Sequence, residues 1–119
     1  MIQLLTPKDF ELLVDLLFSS SGWRRLGVLG KTTKTVDLEL ELPSTRERPF
    51  VQIKSATTQA EFDAYENAFS QSELQRMFYA YHTGDVISHN QSVTLLGRDE
   101  LARMVLELGL ASWLTKKVG

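Results

Sequence analysis

Three residues of this chain have the types and spacing of a site for phosphate chemistry: Asp37, Gln52 and Lys54. A carboxylate and an amide oxygen are hard donors suited to Mg²⁺ or Mn²⁺. An ammonium cannot ligate, but it can orient an attacking water or stabilise charge on a phosphate. Asp37 lies near the start of the run 36–42, VDLELEL, and successive strand side chains point to opposite faces. Val36, Leu38, Leu40 and Leu42 therefore share one face, and Asp37, Glu39 and Glu41 the other. In the run 50–54, FVQIK, Val51 and Ile53 fall on one face and Phe50, Gln52 and Lys54 on the other. If the two runs pair with their apolar faces together, Asp37, Gln52 and Lys54 lie on one side. The same alternation also describes an ordinary solvated face, with Lys54 at an exposed strand end.

The flanking elements must position these groups. Thr6-Pro7-Lys8-Asp9 reads as a helix start, with Thr6 as cap, Pro7 at the first helical position and Asp9 in the positive first turn. Phe10, Leu13, Val14, Leu17 and Phe18 follow at helical spacing and make one apolar face. Glu11 sits about 100° from Phe10 around that helix, on the rim of the face. There it can reach a site at the sheet edge, or stand as a solvated first-turn acid.

Residues 19–22 end the helix, 23–29 read as a first strand, and 30–35 as a polar turn. Residues 43–49 form a loop carrying Arg46 and Arg48. A helix over 60–68 bears Phe62, Tyr65, Ala68 and Phe69 at core spacing, with base stacking as the other use of these rings. Residues 77–82 and 92–96 read as strands joined by a polar loop, and a helix capped or opened by Asp99 runs to Leu108. Gly109 interrupts, and 111–116 add a short turn holding Trp113. His82 and His89 lack a companion cysteine or tight acidic cluster, so they read as strand-end and loop polar residues rather than a zinc pair.

An Asp, a hairpin and then Glu or Gln-x-Lys is the signature of the PD-(D/E)XK nuclease superfamily, and Asp37 with Gln52-Ile53-Lys54 resembles it. The opening stretch LTPKDFELLVDLLFSSSGW resembles the first helix of Mrr-type restriction endonucleases, and SVTLLGRDELARM resembles their closing strand and helix. The similarity covers most of the chain. It implies an α/β domain over 1–119 with a restriction endonuclease-like mixed sheet flanked by helices, in the order αβββαββα. It also implies DNA as partner, Mg²⁺ or Mn²⁺ as cofactor, and metal ligation by Asp37, Gln52 and the Ile53 carbonyl. Glu11 would support the metal through water, and Lys54 would position the nucleophile or stabilise the phosphate. A homodimer or a separate specificity subunit would fit the same resemblance, and so would a catalytically silent member that binds nucleic acid or protein. Two departures stand out. Lys34 and Thr35 occupy positions where the family usually has a glycine-rich turn, and the loop 83–91 is too short and polar for the usual helix between the last two strands.

Composition bounds the rest. The 119 residues suit one domain, and 43% hydrophobic with 24% charged residues is the balance of a soluble globular protein. No cysteine is present, which excludes disulfides and thiolate metal sites. No apolar run approaches membrane-spanning length and no signal-peptide pattern opens the chain, so a cytoplasmic location is expected. A net charge of −2 argues against tight binding to nucleic acid. Its distribution argues the other way: residues 22–54 hold seven bases against four acids, and residues 55–119 five against eight. Arg24, Arg25, Lys31 and Lys34 are the expected nucleic-acid contacts in the basic segment, with affinity weak and steeply salt-dependent.

Overall fold

The computed structural model describes residues 1–26 and 38–118. Helix α1 (Pro7–Ser20) starts as its sequence requires: Thr6 is extended, its Oγ1 accepts the Asp9 N–H at 3.2 Å, and Pro7 lies in the first turn. The helix buries Phe10, Leu13, Val14, Leu17 and Phe18. At its end the Ser21 hydroxyl donates to the Leu17 carbonyl at 2.7 Å, and Gly22, at φ 98°, turns the chain. A single 3-10 turn over Ile2–Leu4 precedes α1 and was not expected from the sequence. Its Ile2 is buried in the core that α1 faces.

Strands β1 (Arg24–Arg25) and β2 (Leu40–Glu41) pair antiparallel, with Arg24 opposite Glu41. The Leu26 N–H reaches the Glu39 carbonyl at 2.8 Å and continues that pairing. The expected strands 23–29 and 36–42 are thus seen in part; residues 27–37, which include the turn 30–35 with Lys31 and Lys34 and the strand residue Asp37, lie outside the described residues. A second sheet is parallel, in the order β3-β4-β5, from β3 (Phe50–Ala56), β4 (Met77–Thr83) and β5 (Val93–Leu96). The chain is therefore α/β, but the single mixed sheet implied by the nuclease resemblance is not seen among the described residues. They form one antiparallel pair and one parallel triplet.

The crossover from β3 to β4 is helix α2 (Gln59–Ser70), capped by Thr58, whose Oγ1 accepts the Glu61 N–H. Alternation along the strands divides the core in two. Val51, Ile53, Phe78, Ala80 and Leu96 pack with α1 and the carboxyl-terminal helices, whereas Phe50, Met77, Tyr79 and Tyr81 pack with Phe62 and Phe69 of α2. The aromatic stripe expected over 60–68 is core, as its spacing requires. Both faces of β3 and β4 are covered, which is the ordinary condition of a parallel sheet.

No helix links β4 to β5, in keeping with the polar sequence there. The connection is held by side chains: Gln59 accepts the Ile87 N–H at 2.8 Å and donates to the Ile87 carbonyl at 2.9 Å, and Ser88 donates to Glu66 at 2.7 Å. Gly84, at φ 117°, makes the exit from β4 possible, since a Cβ there would meet the Thr57 carbonyl oxygen at 2.2 Å. Helix α3 (Arg98–Glu107) is capped by Gly97, with Asp99 in its first turn rather than at the cap. Residues 111–116 form more than a short turn. They belong to helix α4 (Ala111–Val118), because Leu110, Trp113, Leu114 and Val118 recur at helical spacing and cover the α1-side core. No helix among the described residues is long and apolar enough to cross a membrane.

Candidate functional site

The Gln-x-Lys run lies on β3, inside the parallel sheet. Gln52 and Lys54 share a strand face, as expected, but that face is not open to water. Tyr79 and Tyr81 stand opposite them on β4, α2 packs over this side, and Gln52 is only 2% exposed. The sequence alternation shows which residues share a face; it carries no information on what covers that face.

Lys54 is half-buried and sits at the transition from core to surface. Its Nζ lies 3.6 Å from Oε2 of Glu61 and 6.0 Å from the centre of the Tyr65 ring. On the other side of β3, the first turns of α1 reach the same strand end. Pro7, Phe10 and Glu11 join Ile53, Lys54 and Ser55 around one depression of about 290 Å³. The structure thus brings Glu11 of α1 and the Ile53–Lys54 segment to a common space, although the two elements are some forty residues apart in sequence. Asp37 falls outside the described residues, so its distance from Gln52 is not part of this geometry.

A hard divalent cation wants oxygen donors and keeps several waters. Glu11 and Ile53 bring a carboxylate and a backbone carbonyl of that kind to the depression, which has room for a hydrated ion, whereas Gln52, the expected amide donor, is buried under α2 on the opposite face of β3 and does not line it. Among the described residues no group of three or more His, Asp or Glu side chains could hold a metal. Asp37, the expected acidic ligand, lies outside the described residues.

Glu61 carries no mark of a site residue in the sequence alone. Its position is nevertheless encoded, since Thr58 and Glu61 have the spacing that places an acid in a helix's first turn, here directly beside Lys54. His82 was expected as a strand-end polar residue. It does lie near the end of β4, but its ring is buried, at 8% exposure, edge-on to Phe10 at 4.7 Å. Nδ1 lies 2.7 Å from the Thr83 hydroxyl, while Nε2 is buried without a hydrogen-bond partner among the described residues. Burial pushes the imidazole pKa below its ordinary 6.5, and the positive charges of Arg98 and the amino terminus add to that shift. His89 is exposed in the β4–β5 loop. On the α2 face, Thr57 and Tyr79 share a buried hydroxyl–hydroxyl hydrogen bond, and burial pushes the Tyr79 phenol up.

The expected nucleic-acid contacts are split. Arg24 and Arg25 are exposed on β1, and both are engaged: Arg24 with Glu41 at 2.9 Å, Arg25 with Asp15 at 3.2 Å. Lys31 and Lys34 lie outside the described residues. Glu41 itself is the larger surprise. Strand alternation places it on a polar face, yet it is 5% exposed, because Arg46 at 3.2 Å and Arg48 at 3.6 Å close over it together with Arg24. Burial alone would raise the Glu41 pKa. Hydrogen bonds from Arg46 and Arg24, with their charges, hold it below the ordinary 4.5.

No family model, curated protein or solved structure matches this chain.

Proposed function

We propose that this protein is a divalent-metal-dependent endonuclease that hydrolyses DNA phosphodiester bonds, with its site in the depression at the carboxyl end of β3. The observation that carries this reading is the meeting of Glu11 with the Ile53–Lys54 segment around one open space. The reading rests also on the sequence resemblance to the PD-(D/E)XK nucleases, from which the roles of these residues are taken. Ligands also tend to bind at the carboxyl ends of parallel strands in open α/β sheets.

In this mechanism Asp37 and the Ile53 carbonyl would hold the cation, while Gln52, buried under α2 on the opposite face of β3, is not placed to ligate it in the depression. When bound, the ion supplies a Lewis acid that polarises a phosphoryl oxygen and favours deprotonation of water. Glu11 accepts a hydrogen bond from the attacking water and fixes its direction. Water oxygen bonds to phosphorus as one ester P–O bond breaks, and the protons of water end on the departing alcohol and the solvent. Lys54 offers its ammonium to the charge that accumulates on phosphorus oxygens in the transition state. Its partner Glu61 holds that ammonium in the interval. DNA reaches the site through the basic segment that includes Arg24, Arg25, Lys31 and Lys34, in a homodimer or beside a specificity subunit.

Calorimetric titration of Mg²⁺ and Mn²⁺ tests the cation site. One site is expected in the wild type, weakened on the order of tenfold to a hundredfold in Glu11→Gln and abolished in Asp37→Ala. Wild-type protein that binds neither ion would sink the hydrolytic mechanism.

A second reading is a catalytically silent member of the fold that only binds nucleic acid or protein. One contact favours it: the Lys54–Glu61 ion pair occupies the ammonium that the reaction needs. In that case Lys54→Met would leave function intact.

A further inference from the structure

At the opposite end of β3 from Lys54, the structure gathers cations that do not line the hydrolytic depression. Glu41 receives Arg24 and Arg46 on the same oxygen, at 2.9 and 3.2 Å, and Arg48 on the other at 3.6 Å. One buried carboxylate thus faces three guanidinium groups; with Glu47, its partner Arg76 and Glu73 of the adjoining groove counted in, four guanidiniums stand against three carboxylates, a surplus of one positive charge. These arginine side chains remain 59%, 73% and 63% exposed. Each guanidinium has five N–H donors in a planar fork, and the contacts to Glu41 use only part of that set. The remaining donors face solvent. Three like charges held this close repel one another, and a further anion would relieve that repulsion.

The backbone supplies a separate observation. Arg46 lies in the left-handed region at φ 64°, where an L side chain other than Asn or Asp is unfavourable by roughly 1–2 kcal/mol. Glycine would fit the turn better, so the arginine occupies a position that local backbone energetics disfavour. Strain of this kind points toward a role for the side chain. Beside the cluster runs a groove of about 580 Å³ lined by Arg46, Glu47, Arg48, Glu73, Leu74 and Gln75. Leu74 is the one large apolar residue among these. An interface with another protein normally has an apolar, charge-depleted centre, whereas nucleic-acid interfaces are polar and positively charged.

We infer that Arg24, Arg46 and Arg48, oriented by the buried Glu41 carboxylate, form a phosphodiester-binding clamp that is separate from the hydrolytic depression. Arg48 precedes Lys54 by six residues, roughly 20 Å of extended chain. The clamp therefore takes a different stretch of polymer from the one at Lys54, or a different polymer. The guanidinium fork suits the paired oxygens of a phosphate. Glu41 acts as a positioning residue that fixes the three forks without neutralising them. The choice of DNA as the polymer rests on the proposed function; the clamp itself does not require hydrolysis.

The test is fluorescence anisotropy of a labelled DNA duplex in EDTA across a series of KCl concentrations. Wild type is compared with Arg46→Gly/Arg48→Gln and with Arg48→Gln alone. The double variant leaves Arg24 on Glu41 and relieves the left-handed strain, and thermal melting checks that it stays folded. If it does not, Arg48→Gln carries the test, because its 3.6 Å contact is the longest of the three. Each lost phosphate contact should lower the slope of log K against log salt by about 0.9. The expected result is a slope reduced by about 1.8 in the double variant and about 0.9 in the single one, with affinity falling in step. Slopes unchanged from wild type, or no duplex binding by wild type, would overturn the clamp. Poly-glutamate binding as tightly as the duplex, with the same arginine dependence, would overturn the choice of phosphodiester. Arginine-dependent binding without any cleavage in Mg²⁺ would leave the clamp standing and remove the nuclease. Cleavage with unchanged slopes would do the reverse.

Discussion

At the amino end of β3 three arginines surround one buried glutamate, whereas at the carboxyl end one lysine pairs with an exposed glutamate and shares a depression with another. The first arrangement carries surplus positive charge on side chains that are already aimed. Such a surface can hold a fixed anion, but it has no group poised to respond to charge that develops during a reaction. The second is balanced at rest and half-buried. A lysine held by a neighbour that it can leave is suited to charge that appears only in a transition state, and interactions that strengthen there are the ones that accelerate chemistry. One strand therefore separates holding a phosphodiester from breaking it, in the reading proposed for this chain.

Phe10→Ala should have the largest consequence. Phe10 is fully buried, meets the His82 ring edge-on and lines the hydrolytic depression, so its loss should lower unfolding free energy by about 3–5 kcal/mol in urea titration. Duplex binding by the amino-end arginines should survive wherever the variant remains folded. Lys54→Met keeps the aliphatic stem and removes the charge. Cleavage should fall on the order of 10²–10³-fold, while binding in EDTA changes little. Glu61→Gln releases Lys54 from its partner; exposed pairs of this kind are worth at most about 1 kcal/mol, so the cleavage rate should rise by up to about fivefold. A fall in rate would assign Glu61 a direct part at the site.

The pH response distinguishes buried groups from exposed ones. His82 has a folded pKa below its ordinary 6.5, so the unfolded chain takes up a proton that the folded chain refuses. Stability should be full above pH 6.5 and decline as pH falls below it, until the folded histidine itself titrates. His82→Asn should flatten this part of the profile in thermal melts taken at successive pH values. Glu41 acts lower on the scale: its stabilisation is present above about pH 4.5 and is lost as pH falls through its depressed folded pKa. The smallest effect is expected for Arg46→Gly, where relief of the left-handed backbone offsets the lost ion pair, and the net change in stability should be under about 1 kcal/mol.

What could be read from the sequence was what is decided locally. The Thr6-Pro7 start of α1, its five-residue apolar face, the aromatic stripe of α2 and the strand at Met77–Thr83 each follow from spacing within one element. The common face of Gln52 and Lys54 follows in the same way. Long-range choices were less legible. That β3 pairs with β4 in parallel depends on residues some twenty-seven positions apart, and the alternation of FVQIK is the same whichever strand lies beside it. Glu41 reads as a solvated acid until Arg24, Arg46 and Arg48 arrive from both sides of the chain. His82 reads as a polar strand end, and only the packing of α1 over β4 buries it against Phe10. Helix α4 is less legible than α1, because a glycine commonly marks the end of regular structure, whereas Gly109, at φ 71°, ends α3 and lets α4 begin two residues later.

The most direct test is incubation of supercoiled, linear, branched and single-stranded DNA with wild type, Asp37→Ala and Lys54→Met, in Mg²⁺ or Mn²⁺ at low salt. The expected result is metal-dependent cutting by wild type that both substitutions abolish or nearly abolish. Absence of cutting by wild type on every DNA form, or cutting that both variants retain, would contradict the nuclease assignment.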